Sequence, residues 1–99
     1  MEQIFAILRG KGGAFQVEQV GEVNGNPVFL RVMRDFIAPY HTHKQCDEMF
    51  LIFDGELILD VDSSSYTLTS GDTFTIKAGQ THRSRVPKYA ELMVIGGHG

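Results

Sequence analysis

His41-Thr42-His43-Lys44-Gln45-Cys46-Asp47-Glu48 places two imidazoles on either side of one residue and, after four intervening residues, the carboxylate of Glu48, and Gly55 follows after six more. A second stretch, Ser70-Gly71-Asp72-Thr73-Phe74-Thr75-Ile76-Lys77-Ala78-Gly79-Gln80-Thr81-His82, brings a third imidazole behind two glycines. Residues two apart on a strand share a face, so His41 and His43 project together while Tyr40 and Thr42 face away. Lys44 to Asp47 is a polar stretch that can turn the chain, and Glu48 then opens a strand with Phe50 and Ile52 on its own face. His82 likewise shares a face with Ser84 and Val86. Three neutral imidazoles and one carboxylate form a mixed N/O donor set that suits Fe, Mn, Ni, Zn or Cu and is poor for Mg or Ca. His41, His43, Glu48 and His82 are therefore the candidate ligands of one divalent transition metal.

The surrounding sequence reads as short strands. Turn signals recur at Gly12-Gly13, Asn24-Gly25-Asn26-Pro27, Asp54-Gly55, Ser63 to Ser65, Ser70-Gly71, Ala78-Gly79, Val86-Pro87 and Gly96-Gly97. Strand candidates are residues 28–37, 49–53, 56–62, 65–69, 73–77, 82–86 and 90–95, and even spacing of this kind suggests an all-β sandwich or barrel. Asp54-Gly55 is read as a hairpin between two of them. Residues 2–9 fit either a short helical face or an N-terminal edge strand, and the reading favours strand or irregular structure.

With 99 residues, one domain spanning 1–99 is expected, with ordinary globular composition: 42% hydrophobic and 21% charged. The net charge of −3 and the lack of a Lys/Arg run give no reason to expect nucleic acid or an anionic membrane as partner. The longest apolar run is Met49 to Phe53, too short for a membrane-spanning helix, and the first residues show no signal-peptide pattern. Cys46 is the one cysteine, so no internal disulfide is expected, which fits a cytoplasmic location.

On these residues the chain resembles the cupin superfamily. Its first motif is Gly, five residues, His-x-His, three or four residues, Glu, six residues, Gly. Its second is Gly, five residues, Pro-x-Gly, two residues, His, three residues, Asn. The first matches at His41, His43, Glu48 and Gly55, and the second at Gly71, Gly79 and His82. Asp35 replaces the first glycine, Lys77 the proline and Val86 the asparagine, none of them a ligand position. The resemblance implies a double-stranded β-helix, a jelly-roll-like conical barrel, with His41, His43, Glu48 and His82 as ligands and coordination positions left open.

Other residues divide by strand parity. Arg34 shares parity with Leu30, Val32 and Phe36, a set expected to face inward, where it would anchor an anionic substrate; alternatively Arg31 or Arg34 pairs on an outer surface. Arg34, Phe50, Ile52, Ser84 and Val86 are the candidate substrate pocket, with Phe74 and Ile76 filling the barrel. Arg83 and Arg85 should face outward. Cys46 reads as a partly buried, unreactive thiol, Asp47 as a solvated or turn carboxylate, and His98 as a tail residue.

An open metal of this kind polarises carbonyls, activates water, or serves oxygen chemistry on a chelating substrate. The resemblance allows a dioxygenase, a sugar isomerase or epimerase, or a decarboxylase acting on a small metal-coordinating molecule. No second acid/base pair accompanies the ligands, which favours oxygen chemistry over proton shuttling. The alternative is a non-catalytic module that binds or senses a small ligand; a purely structural metal site is a third reading. A homodimer is expected, with residues 3–8 crossing to a partner's sheet edge.

Overall fold

The computed structural model describes residues 1–98. Seven strands follow one helix: α1 (Glu2–Lys11), β1 (Phe15–Val23), β2 (Asn26–Ile37), β3 (His41–Thr42), β4 (Glu48–Val61), β5 (Ser64–Thr69), β6 (Thr73–Ile76) and β7 (Thr81–Gly96). All pairings are antiparallel, in the order β1-β2-β7-β4-β5, with β3 added to β7 and β6 to β4. The fold is all-β, as the spacing of short apolar segments suggested. No helix among the described residues is long and apolar enough to cross a membrane.

The N-terminal segment differs from the strand reading. Glu2–Lys11 is a helix whose Phe5 and Leu8 are buried against Leu30 and Val32 of β2, with Phe53, Tyr89 and Met93 packed around them. Its residues are mostly good helix formers, and the apolar positions 4, 5 and 8 make one helical stripe. Because that stripe is spent on the chain's own sheet, residues 3–8 do not form an extended segment free to cross to a partner.

Two further differences have a common cause. Asp54-Gly55 does not turn a hairpin; β4 runs through it with register shifts between Ile52 and Asp54 and between Gly55 and Ile58. Buried apolar positions after this irregularity are Leu57, Leu59 and Val61, against Phe50 and Ile52 with Glu48 before it, so the inward parity changes from even to odd, and Asp60 is covered on the outer face by its arginine partners. Gly55 has φ +80°, and a Cβ there would overlap the carbonyl of Tyr89 on β7. On β2 the same event occurs at Asp35, at φ +46° with a register shift between Arg34 and Phe36. Strand β1 was not anticipated at all. Its Phe15-Gln-Val-Glu-Gln-Val-Gly-Glu-Val23 alternation is broken by a shift between Gln19 and Gly21, and nearly all of it is exposed.

The main core lies inside the folded sheet and includes Met33, Phe50, Ile52, Leu57, Leu59, Ile76, Val86, Leu92 and Val94. Burial of such side chains contributes roughly 1.5–3 kcal/mol each before entropy is counted. It also closes the barrel from below, leaving polar side chains at the strand starts to gather at one end.

Candidate metal centre

Three strand starts meet there. His41 on β3 is the register partner of His82 on β7, and Thr42 pairs with Thr81 beside them, their hydroxyls 3.0 Å apart. The amide of Gly79 donates to the carbonyl of His43 (2.9 Å), which ties the first motif to the turn preceding His82. Glu48 begins β4 between Ile76 of β6 and Gly96 of β7. The result is a cluster of His41, His43, Glu48 and His82 in which one donor atom from each lies within 4.8 Å of all the others. The His41 and His82 rings are 4.2 Å apart, and His43 lies 4.9 Å from His41.

Hydrogen bonds orient two of the rings. His41 Nδ1 lies 3.0 Å from the carbonyl of Pro39, and His82 Nδ1 lies 3.0 Å from that of Gln80. A carbonyl only accepts, so each Nδ1 carries the proton and each Nε2 is left with a lone pair in the neutral ring. His82 Nε2 stands 3.0 Å from Glu48 Oε1, and His43 Nε2 stands 3.6 Å from the same oxygen. Two lone pairs at 3.0 Å repel unless a proton or a cation lies between them. The donor set thus fits a cation, and its chemistry is that of a transition metal.

Charge effects agree with this geometry. Burial acts to raise the Glu48 carboxyl, but the His82 hydrogen bond and the nearby Arg31, His43 and His82 outweigh it and hold it below its ordinary range. Burial acts to lower His82, and bonding to Glu48 and Gln80 reverses this and raises it. Burial is the main reason His43 is lowered, with Glu48 opposing. The buried carboxylate is therefore kept ionised, as a ligand must be.

The cluster forms one wall of a cavity of about 310 Å³. Its other walls are mainly apolar, from Phe15, Met33, Phe36, Ala38, Pro39 and Phe50, with Ser84, Arg31 and Gly97 completing it. Of the expected pocket residues, Phe50 and Ser84 line this cavity. Ile52 and Val86 lie instead in the fully packed core. Arg34 is not in the cavity: its guanidinium donates to the carbonyls of Gly13 and Arg9 (both 3.1 Å) and lies over the Tyr89 ring. The Asp35 bulge is the reason, since it puts Leu30, Val32 and Arg34 on the α1 side and Arg31, Met33 and Phe36 on the inner side. The signal was present in the sequence as the residue standing at the first motif's glycine.

Gly97 was read only as a turn residue. It has φ +72°, and a Cβ there would overlap the Glu48 carboxylate. Arg83 and Arg85 face outward, as parity required, and pair with Asp60 at 2.8 and 2.7 Å. Asp47 accepts from the Ala78 amide (2.9 Å) and stands apart from the cluster. Cys46 is partly buried, its thiol donating to Asn26 Oδ1 (3.2 Å), and His98 is exposed. A wider hollow of about 500 Å³ beside Cys46 and Asn26 holds no comparable gathering of donors.

Quercetin 2,3-dioxygenase of Bacillus subtilis is 41% identical over 56 residues, which is 57% of this chain and 17% of that protein. The uncharacterised protein YdbB of the same organism is 36% identical over 69 residues, covering 67% of this chain and 58% of that one. The chain thus spans less than two thirds of either relative's length. A crystal structure of a cupin-2 domain protein from Shewanella frigidimarina superposes with a TM-score of 0.84 at 20% identity, over 95% of this chain and 88% of that one, a likeness of fold. The family model of the cupin domain matches residues 28–96, which run from within β2 to the end of β7 and include every residue of the cluster. The chain belongs to the cupin domain family.

Proposed function

We propose that His41, His43, Glu48 and His82 hold a divalent transition metal and that the chain acts on a small, metal-coordinating organic molecule by oxygenase-like chemistry. The observation that carries this reading is the meeting of four N/O donors at the wall of a mainly apolar cavity. A metal in this set supplies Lewis-acid or redox chemistry to an oxygen-donor ligand. The chain's own part is to hold the donors in fixed tautomers, through Pro39 and Gln80, and to exclude water with Phe15, Phe36 and Phe50. Ser84 is the one hydroxyl in the lining, and no lysine, tyrosine or uncommitted carboxylate is there to move protons between carbons. That composition supports oxygen chemistry over isomerisation, and the partial likeness to a quercetin dioxygenase points the same way.

The test is oxygen uptake by protein loaded separately with Fe(II), Mn(II), Ni(II), Cu(II) or Zn(II), supplied with flavonols, catechols and small diketones. Uptake that a His41→Ala variant abolishes supports the reading. Saturable binding without product under every metal would replace the enzyme by a binding or sensing module.

The chain is further inferred to form a homodimer, though not through its N-terminal segment. Strand β1 is a sheet edge whose outer backbone groups are unpaired, and it carries exposed Val17, Val20 and Val23. Light scattering on the parent and a Val17→Lys variant tests this; a monomeric parent rejects it. A cytoplasmic setting accords with the free thiol of Cys46.

A further inference from the structure

Arg31 is the unexplained charge of the cavity. It lies on β2 within the lining, and its guanidinium sits 5.4 Å from the Phe15 ring centre and 6.0 Å from that of Phe29. Its Nε is fully buried without a hydrogen-bond partner, and none of the ion pairs or side-chain hydrogen bonds among the described residues includes it. Arg9 Nε is the other such atom, but it at least faces a Glu91 oxygen 2.6 Å away. Structural arginines in this chain look different: Arg34, Arg83 and Arg85 are each satisfied by carbonyls or a carboxylate. A guanidinium nitrogen held out of water with no acceptor is destabilising, and the remaining N–H groups of Arg31, which no side chain or carbonyl satisfies, are free for an acceptor from outside the chain.

Charge arithmetic says what that is. Arg31 is near enough to Glu48 and His43 for its field to act on both. With the metal bound, as the reading above has it, the dication exceeds the single charge of Glu48 and the imidazoles are neutral. Glu48 is then fully compensated, and the cavity holds a surplus of positive charge against aromatic walls. We propose that Arg31 is the anion-recognising residue of this cavity. The ligand is a flat organic monoanion, a carboxylate or enolate, whose charged oxygen pairs with the guanidinium while another oxygen of the same molecule can reach the donor cluster. Phe15, Phe36 and Phe50 fit its flat faces. The inference rests on the metal reading and extends it to the class of ligand.

The test uses the Zn(II)-loaded chain, which is redox-silent, with salicylate as probe and salicylamide as its uncharged counterpart, both followed by titration calorimetry. Salicylate should bind at least roughly tenfold more tightly than salicylamide, the scale of one charge-assisted contact. Arg31→Met should cut that preference by about tenfold while keeping one zinc per chain, the remainder being the metal's own, and Arg31→Lys should lose less of it. Zinc content and melting temperature, measured for each variant, confirm that the chains compared are folded and loaded. Metal-free Arg31→Met should melt no lower than the parent, whereas an arginine serving only the fold would lose stability on removal. Equal salicylate affinity in Arg31→Met, or a parent that does not separate the two probes, overturns the inference and leaves the metal reading standing. A parent that takes up no zinc overturns the metal reading, and this inference with it.

Discussion

Glu48 Oε1 and His82 Nε2 approach to 3.0 Å although the residues are 34 positions apart and sit at opposite ends of the β4–β7 ladder, Glu48 beside Gly96 and His82 beside Val61. Glu48 is 4% exposed and His82 1%, so this contact is made almost out of water. Replacing Glu48 by Gln keeps the shape and removes the charge. Metal affinity should then fall by more than the roughly 10–100-fold that outer hydrogen-bond partners carry. Asp47→Asn should change it far less, because Asp47 bonds the Ala78 amide and not the cluster. Competition against a chromophoric chelator measures both; equal losses would mean that the carboxylate at 48 is not a ligand.

Metal should stabilise the fold. A ligand that binds only the native chain, present at about 100 times its Kd, contributes about 2.7 kcal/mol, which for a domain of this size raises Tm by on the order of 10 °C. Differential scanning calorimetry with chelator, and then after reloading, reads the effect. A melting temperature indifferent to both treatments contradicts the proposed site.

Gly55→Val should destabilise the chain by about 3 kcal/mol, since the position combines φ +80° with a Cβ that would meet the Tyr89 carbonyl. Urea unfolding measures it. A neutral result would mean that β4 does not pass Tyr89 as closely as described.

The outer cluster of Asp60, Arg83, Arg85 and Ser65 makes stability depend on acid. The Arg85 and Ser65 hydrogen bonds, followed by that from Arg83, hold the Asp60 carboxyl far below its ordinary value of 3.8. A lowered folded pKa means stability that is complete above 3.8 and lost as pH falls toward the folded value. Asp60→Asn should therefore lower Tm by several degrees at pH 7. The gap between the two proteins should narrow on acidification below about pH 4, and thermal melts across that range check the sign.

What could be read in advance depended on whether parity stayed local. His82 and Ser84 lie on one strand and line one cavity, so period-two counting served there; His43 lies just beyond β3 and still gathers with His41. The register between motifs was not needed, because the donor types and spacings already matched. Counting failed where a bulge intervened. Asp35 reverses the inward face of β2, and the arginine expected in the cavity turned out to be the wrong one of two. At Gly55 the same device was mistaken for a hairpin, although the strands on either side were found. Residues 2–9 carry an apolar pattern compatible with both helix and strand, and only the exposed face of β2 decides between them. Gly97 was invisible because its role is the lack of a side chain opposite a carboxylate far away in sequence.

That last glycine has a consequence for how such a protein could diversify. Beside Glu48 the enclosure is bare main chain, and any larger residue there would push on the ligand itself. Room for a different compound would accordingly have to come from the opposite side, through the less buried Phe15 and Phe36 rather than the core residues Met33 and Phe50.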